Sequence, residues 1–159
     1  MKTLLTAHQV LDLAFAAGEH LPPEALTRAM IAAAEERYVR PLVGDSLYQD
    51  LLTGAHEAFS ADYIRPLAAL GVKRLLLPQL KLRPALCGVV EPKAQGWQSA
   101  SEESLEAADR AQALEIEALS RRLHKELERL HAEGELEAYR PEENIRNRCR
   151  NHGGLFQIL

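Results

Sequence analysis

EESLEAADRAQALEIEALSRRLHKELERLHAE, residues 102–133, is the stretch that decides the fold class. Leu105, Ala108, Ile116, Leu119, Leu123, Leu127 and Leu130 recur at steps of three and four, with Gln112 filling the one polar place, so a single stripe runs down one helix face. Ser101 is placed to cap its start and Gly134 to end it. Glu106 with Arg110, and Glu117 with Arg121, are oriented as favourable i, i+4 pairs. The rest of the chain has the same bias. Of its 159 residues 47% are apolar, drawn mainly from Leu and Ala, and only 5% are aromatic. Leu, Ala, Glu and Arg are the strongest helix formers, which predicts a mainly α fold of about five helices with this long amphipathic one near the C-terminus. The length suits one domain, residues 1–159, with 135–159 as a basic tail.

Upstream, Thr6-Ala-His-Gln9 has the form of a capping box, and Val10, Leu11, Leu13, Ala14 and Phe15 make a short helix that Gly18 can stop. Pro22-Pro23 predicts the opening of a longer helix with a stripe of Leu26, Met30, Ala33, Ala34, Arg37 and Tyr38. Arg40-Pro41 should end or kink it, and Gly44-Asp45-Ser46 should cap another carrying Leu47, Tyr48, Leu51 and Leu52 up to Gly54. Ser60-Ala-Asp62 reads as the start of the next helix. Ile64, Leu67, Ala68, Leu70, Leu75, Leu76 and Leu77 make it apolar nearly all round, hence central. Gly71 inside it implies a close neighbour.

Pro78 and Pro84 bracket a change of structure. Leu80-Lys-Leu82-Arg alternates with a strand period, and Leu86-Cys-Gly-Val89-Val90 is β-prone, so a small β-hairpin or extended arm is expected there. Pro92 to Ser99 is turn-rich. After Tyr139, Arg140, Arg146, Arg148 and Arg150 outnumber Glu142 and Glu143. Gly153-Gly154 then hinges a last strand-like run, Leu155-Phe156-Gln-Ile158-Leu. No internal repeat is evident.

The chemistry-bearing residues do not form a catalytic pattern. His124 and His131 are two turns apart, too far for a helical metal pair, and Cys149-Arg-Asn-His152 lacks a second half. Cys87 and Cys149 lie in unlike contexts, as expected of thiols in a reducing compartment. Glu35-Glu36 and Glu102-Glu103 are adjacent acids on different helical faces, unlike convergent catalytic carboxylates. Phosphate loops and nucleophile elbows are missing, so neither enzyme nor cofactor is expected. No signal peptide or membrane span is read, which points to a cytoplasmic protein without a membrane partner. The net charge of −4 gives no general attraction to nucleic acid, but its distribution is uneven. From Tyr63 to Val90 every charge is positive, and from Glu102 to Glu137 acids outnumber bases. Either copies stack through opposite faces, or the two segments neutralise each other within one fold.

One block is more specific. Glu36-Arg-Tyr38-Val39-Arg-Pro41-Leu42-Val43-Gly44, running on to Leu47-Tyr48-x-x-Leu51, resembles the helix–Pro–x–x–Gly–x–x–x–Tyr element of the head–tail connector (neck or adaptor) proteins of tailed phages and prophages. It is most similar to an uncharacterised group in Bacteroidetes-type phages. The order that follows agrees: Ile64-Arg-Pro66, Gly88-Val-Val90, a Ser-rich turn, a long helix and a terminal Gly-Gly-Leu-Phe. The Leu- and Ala-rich composition departs from low-GC members. The resemblance implies a non-catalytic virion assembly subunit, made in the bacterial cytoplasm and sited at the head–tail junction. Its implied partners are copies of itself in a ring of about a dozen, the portal and tail-completion proteins, and channel DNA without sequence specificity, with no small-molecule substrate. In the block, Tyr38, Pro41, Gly44 and Tyr48 are read as structural turn residues. Leu80, Leu82, Val89, Val90, Leu155, Phe156 and Ile158 are candidate subunit contacts, the terminal run adding a strand to a neighbour's edge. Arg140, Arg146, Arg148 and Arg150 are the candidate basic contact, and an alternative reading makes them the nucleic-acid site of a helical regulatory module.

Overall fold

The computed structural model describes residues 2–16, 21–81, 83–85, 88–90, 102–148, 151–152 and 155–156. Helix α1 (Ala7–Ala14) begins as read: the Thr6 hydroxyl accepts from the Gln9 N–H, and the Gln9 side chain accepts from the Thr6 N–H. Gly18 and Ser101, the expected stop and cap, lie outside the described residues. The second helix does not open at the prolines. Pro23–Ala25 forms a separate 3-10 turn, and α2 (Arg28–Ala34) starts at Thr27, whose hydroxyl accepts from the Met30 N–H. Its buried stripe is also one residue away from the expected one. Ile31, Ala34, Glu35 and Val39 are inside, while Ala33 and Arg37 are exposed.

Two prolines are absorbed without breaking their helices, contrary to expectation. A π turn (Glu35–Val39) joins α2 to α3 (Arg40–Thr53), so that the Arg40 N–H reaches back five residues to the Glu35 carbonyl. Pro41 has no N–H to give, and its ring would crowd the carbonyl four residues back in an ordinary α turn. Widening the helix by one residue relieves that crowding. The real break is Gly44, whose φ of 79° and ψ of 171° suit glycine alone. Gly54, left-handed at φ 94°, ends α3, and left-handed His56 reverses the chain into α4 (Glu57–Phe59). Helix α4 continues through a second π turn (Ser60–Ile64) into α5 (Arg65–Lys81). The helix therefore starts before Ser60, which is buried inside it and is not its cap.

Helix α5 is the central element, with α1, α2 and α6 (Glu102–Ala132) all packed on it. Ile64, Leu67, Ala68, Ala69 and Val72 are fully buried. Burial of each large side chain contributes about 1.5–3 kcal/mol. Gly71 has the close neighbour its position implies: a Cβ there would fall 2.5 Å from the Tyr38 ring. The long helix α6 runs as read and ends before left-handed Gly134. Only its second half uses the apolar stripe, through Ile116, Leu123, Leu127 and Leu130, whereas Ala108 and Leu114 are exposed. The Glu117–Arg121 pair forms at 2.9 Å; a Glu106–Arg110 pair does not.

Residues 136–148 of the basic tail pack on the rest of the domain. Leu136 and Tyr139 enter the core, and a 3-10 turn (Pro141–Glu143) and the single-turn α7 (Ile145–Arg148) lie against α3. Leu80 and Lys81 are not in a strand, because α5 continues through Pro78 to Lys81. Beyond it β1 (Arg83–Ala85) and β2 (Gly88–Val90) run antiparallel, Arg83 opposite Val90. A pairing that short has no independent stability in water, so the expected β-hairpin is not a supported part of the architecture. β3 (Asn151–His152) and β4 (Leu155–Phe156) pair over two residues.

Candidate functional site

The specific sequence block folds into a corner that ties the N-terminal segment, α3 and the tail together. At its centre is Glu35, which is fully buried. The Leu4 and Leu5 N–H groups donate to Oε1 at 2.8 and 3.3 Å, and the Tyr48 hydroxyl donates to Oε2 at 2.8 Å. Burial pushes the Glu35 carboxyl up from the usual carboxylate range, against the pull of the Tyr48, Leu4 and Leu5 hydrogen bonds. The Tyr48 phenol is likewise raised, first by burial and then by its carboxylate acceptor. A buried carboxylate is costly unless every lone pair it turns inward is met. Here it fixes where residues 4 and 5 enter the core.

Around the break, Arg40 spans both sides. It meets Glu36 and Asp45 at 2.6 Å each, and its guanidinium lies 5.9 Å from the Tyr48 ring centroid. Gly44 is needed twice over: besides its backbone angles, any Cβ would collide with the Glu143 carboxylate. That carboxylate accepts from the Asp45 N–H at 2.9 Å, so the tail caps the resumed half of α3.

A second buried polar cluster holds the tail to α6. Fully buried Asn144 donates to the Tyr139 hydroxyl at 2.8 Å, with the same amide 3.2 Å from His124 Nδ1. The Tyr139 hydroxyl donates onward to Glu128 at 2.8 Å. Neither cluster has a nucleophile aligned with a base or an open position for a reacting atom. Among the described residues no group of three His, Cys, Asp or Glu side chains could hold a metal ion, and no helix is long and apolar enough to cross a membrane.

The sequence-read residues divide between these places. Gly44 and Tyr48 are at the corner, Tyr38 packs on Gly71 of α5, and Pro41 sits within a helix, not in a turn. Arg146 is committed to Glu117 of α6 at 2.6 Å, which holds that carboxyl below its ordinary range. The Arg148 Nε donates to the Glu142 carbonyl, Arg140 is exposed, and Arg150 lies outside the described residues. Leu80 is in the last turn of α5. Val89, Val90, Leu155 and Phe156 are in the short pairings, and Leu82 and Ile158 lie outside the described residues, as do Cys87 and Cys149.

Sequence reasoning gave Glu35 and Glu143 no structural role and did not name Asn144. Glu35 was detectable, since it falls between Ile31 and Val39 at steps of four on the buried stripe. It also missed a repeat. Tyr38-Val39-Arg40-Pro41-Leu42 recurs as Tyr63-Ile64-Arg65-Pro66-Leu67, each copy on a π turn with its β-branched residue fully buried. Each arginine grips an acid, Arg65 meeting Glu57 at 2.5 Å. No protein-family model matches the chain, and no curated protein or solved structure matches it.

Proposed function

We propose that the chain is a structural assembly subunit, one copy of a ring that joins portal and tail in a tailed phage or prophage. The observation that carries this reading is the corner itself. The block that resembles connector proteins is the part of the chain where N-terminal segment, central helices and tail are tied by polar bonds, centred on buried Glu35. A subunit that must hold its shape under load while offering its outer faces needs such a tie inside, and needs no reaction centre. The charge distribution also supports it. Arg65 and Arg74 are neutralised within the fold, by Glu57 and by Asp109 at 3.0 Å, while the run from Tyr63 to Val90 as a whole carries only positive charges and the run from Glu102 to Glu137 mainly acids. Segments of opposite charge suit a heterologous contact that closes on rotation. On this reading, channel DNA is met without sequence readout.

The alternative, a regulatory module binding nucleic acid through the tail, is weakened by Arg146, which is engaged with Glu117. The decisive experiment is the mass of the protein by light scattering over a concentration series, alone and with a candidate portal ring. A closed multimer, or stoichiometric binding to the portal, is the expected outcome. A monomer that ignores the portal but binds DNA at low salt would overturn the ring in favour of the module.

A further inference from the structure

The outer face of α6 carries the most exposed large apolar side chain among the described residues, Leu114 at 72%. Ala107, Ala111 and Ala118 are also exposed and share its side of the helix at steps of four, three and four. This side lies opposite the buried Ile116, Leu123 and Leu127. The tail does not cover it, since it packs on the adjoining face through Glu117, His124 and Glu128. One exposed leucine needs no explanation. The charges on either side of this one are another matter. Glu103 and Glu106 precede it, and Arg122 and Lys125 follow it, all four exposed. Among the described residues their side chains make no ion pair or hydrogen bond. The helix dipole favours acids in the first turn but does not account for bases in mid-helix.

We infer that this face pairs with the same face of a second copy, the two α6 helices running antiparallel about a two-fold axis at Leu114. In that register a residue before Leu114 meets the one equally far after it in the other copy. Glu103 stands eleven residues before and Lys125 eleven after, so each copy sets its acid against the other's base, twice over. Glu106 comes level with the Arg121–Arg122 pair. Leu114 meets its own counterpart between the alanines, whose small side chains permit the short end of the usual helix separation of about 8–10 Å. The seam from Glu103 to Lys125 is about 33 Å long. A parallel pairing would set Glu103 against Glu103 and Lys125 against Lys125, so charge selects the antiparallel one. The contact closes at two copies. It is distinct from the head-to-tail contact of the ring and does not rest on that reading.

The test uses the full chain with Cys87 and Cys149 replaced by serine and Leu114→Cys added. Under mild air oxidation this chain should form a disulfide-linked dimer on a non-reducing gel, much faster than the same background carrying exposed Ala29→Cys on α2. Only a residue at the axis meets its own copy, whereas a ring contact between unlike surfaces brings no residue onto itself, so the readout is the same whether or not a ring forms. Adding E103K, or separately K125E, should slow the cross-link about tenfold or more at low salt. Mixing these two chains should restore the rate, because every reversed charge then faces an opposite one. All the substituted residues of the pair are exposed, and melting curves check that each chain keeps its fold. Cross-linking of L114C no faster than that of A29C would overturn the pairing. A mixture that links no faster than either charge variant alone would overturn the antiparallel register.

Discussion

At the residue scale, the corner depends on a carboxyl that folding makes harder to ionise. The folded protein therefore binds the Glu35 proton more tightly than the unfolded chain does, and the sign follows from linkage. The contribution of Glu35 to stability is full below its ordinary pKa of 4.5 and falls as pH rises from there through the raised folded value. Glu35→Gln keeps an oxygen for the Leu4 and Leu5 N–H groups and does not titrate. Urea midpoints measured from pH 4 to pH 8 should show the parent losing stability relative to E35Q as pH rises. A difference that stays flat would mean the carboxyl is not held above its usual range. Gly71→Ala tests a contact of another kind. The added methyl meets the Tyr38 ring first, and overpacking of this sort costs about 1–3 kcal/mol. The substitution should lower the melting temperature, and G71A/Y38A should lose less than the sum of the two single losses. Gly71 was legible because a glycine inside an apolar helix has few other uses. Glu143 was not, because its partner is a backbone N–H ninety-eight residues away in sequence.

At the element scale, periodicity found the helices and misplaced their ends. The long stripe from Leu105 to Leu130 was readable because a 3.6-residue period sustained over many turns admits no strand. Two of the misread bounds, at Pro41 and Ser60, share one reason. Each rule about proline or a capping residue assumes a regular α turn, and this chain inserts a residue to form π turns ahead of Arg40 and Arg65. The insertion also shifts the buried face beyond it, so that Val39 is buried where the expected stripe had Arg37 and Tyr38. A deletion should reverse it. Removing exposed Ala61 restores an α turn, which Pro66 then obstructs at a cost of about 3 kcal/mol. In a P66A background the same deletion should cost far less, since alanine at that position has an N–H to donate and no ring to clash. Chemical denaturation of the four chains gives the coupling directly, and equal costs in the two backgrounds would show that proline is not what the π turn accommodates.

At the scale of the whole molecule, the last segment decides between a tail that completes the fold and one that joins copies, and two truncations separate these roles. A chain ending at residue 134 loses Leu136, Tyr139 and Asn144, all buried, and with Glu143 the cap on Asp45. Burying Leu136 and Tyr139 alone contributes about 1.5–3 kcal/mol each, a large share of the stability of a domain this size. That chain should melt well below the parent or fail to fold. A chain ending at residue 152 keeps all of these contacts and gives up only the run from Gly153 onward. Its melting temperature should stay within a few degrees of the parent's. If the terminal run adds a strand to a neighbour, the loss appears as a smaller mass by light scattering, at protein concentrations where the parent multimerises. An unchanged multimer would free the terminal run of that role and place the contact between copies on other surfaces.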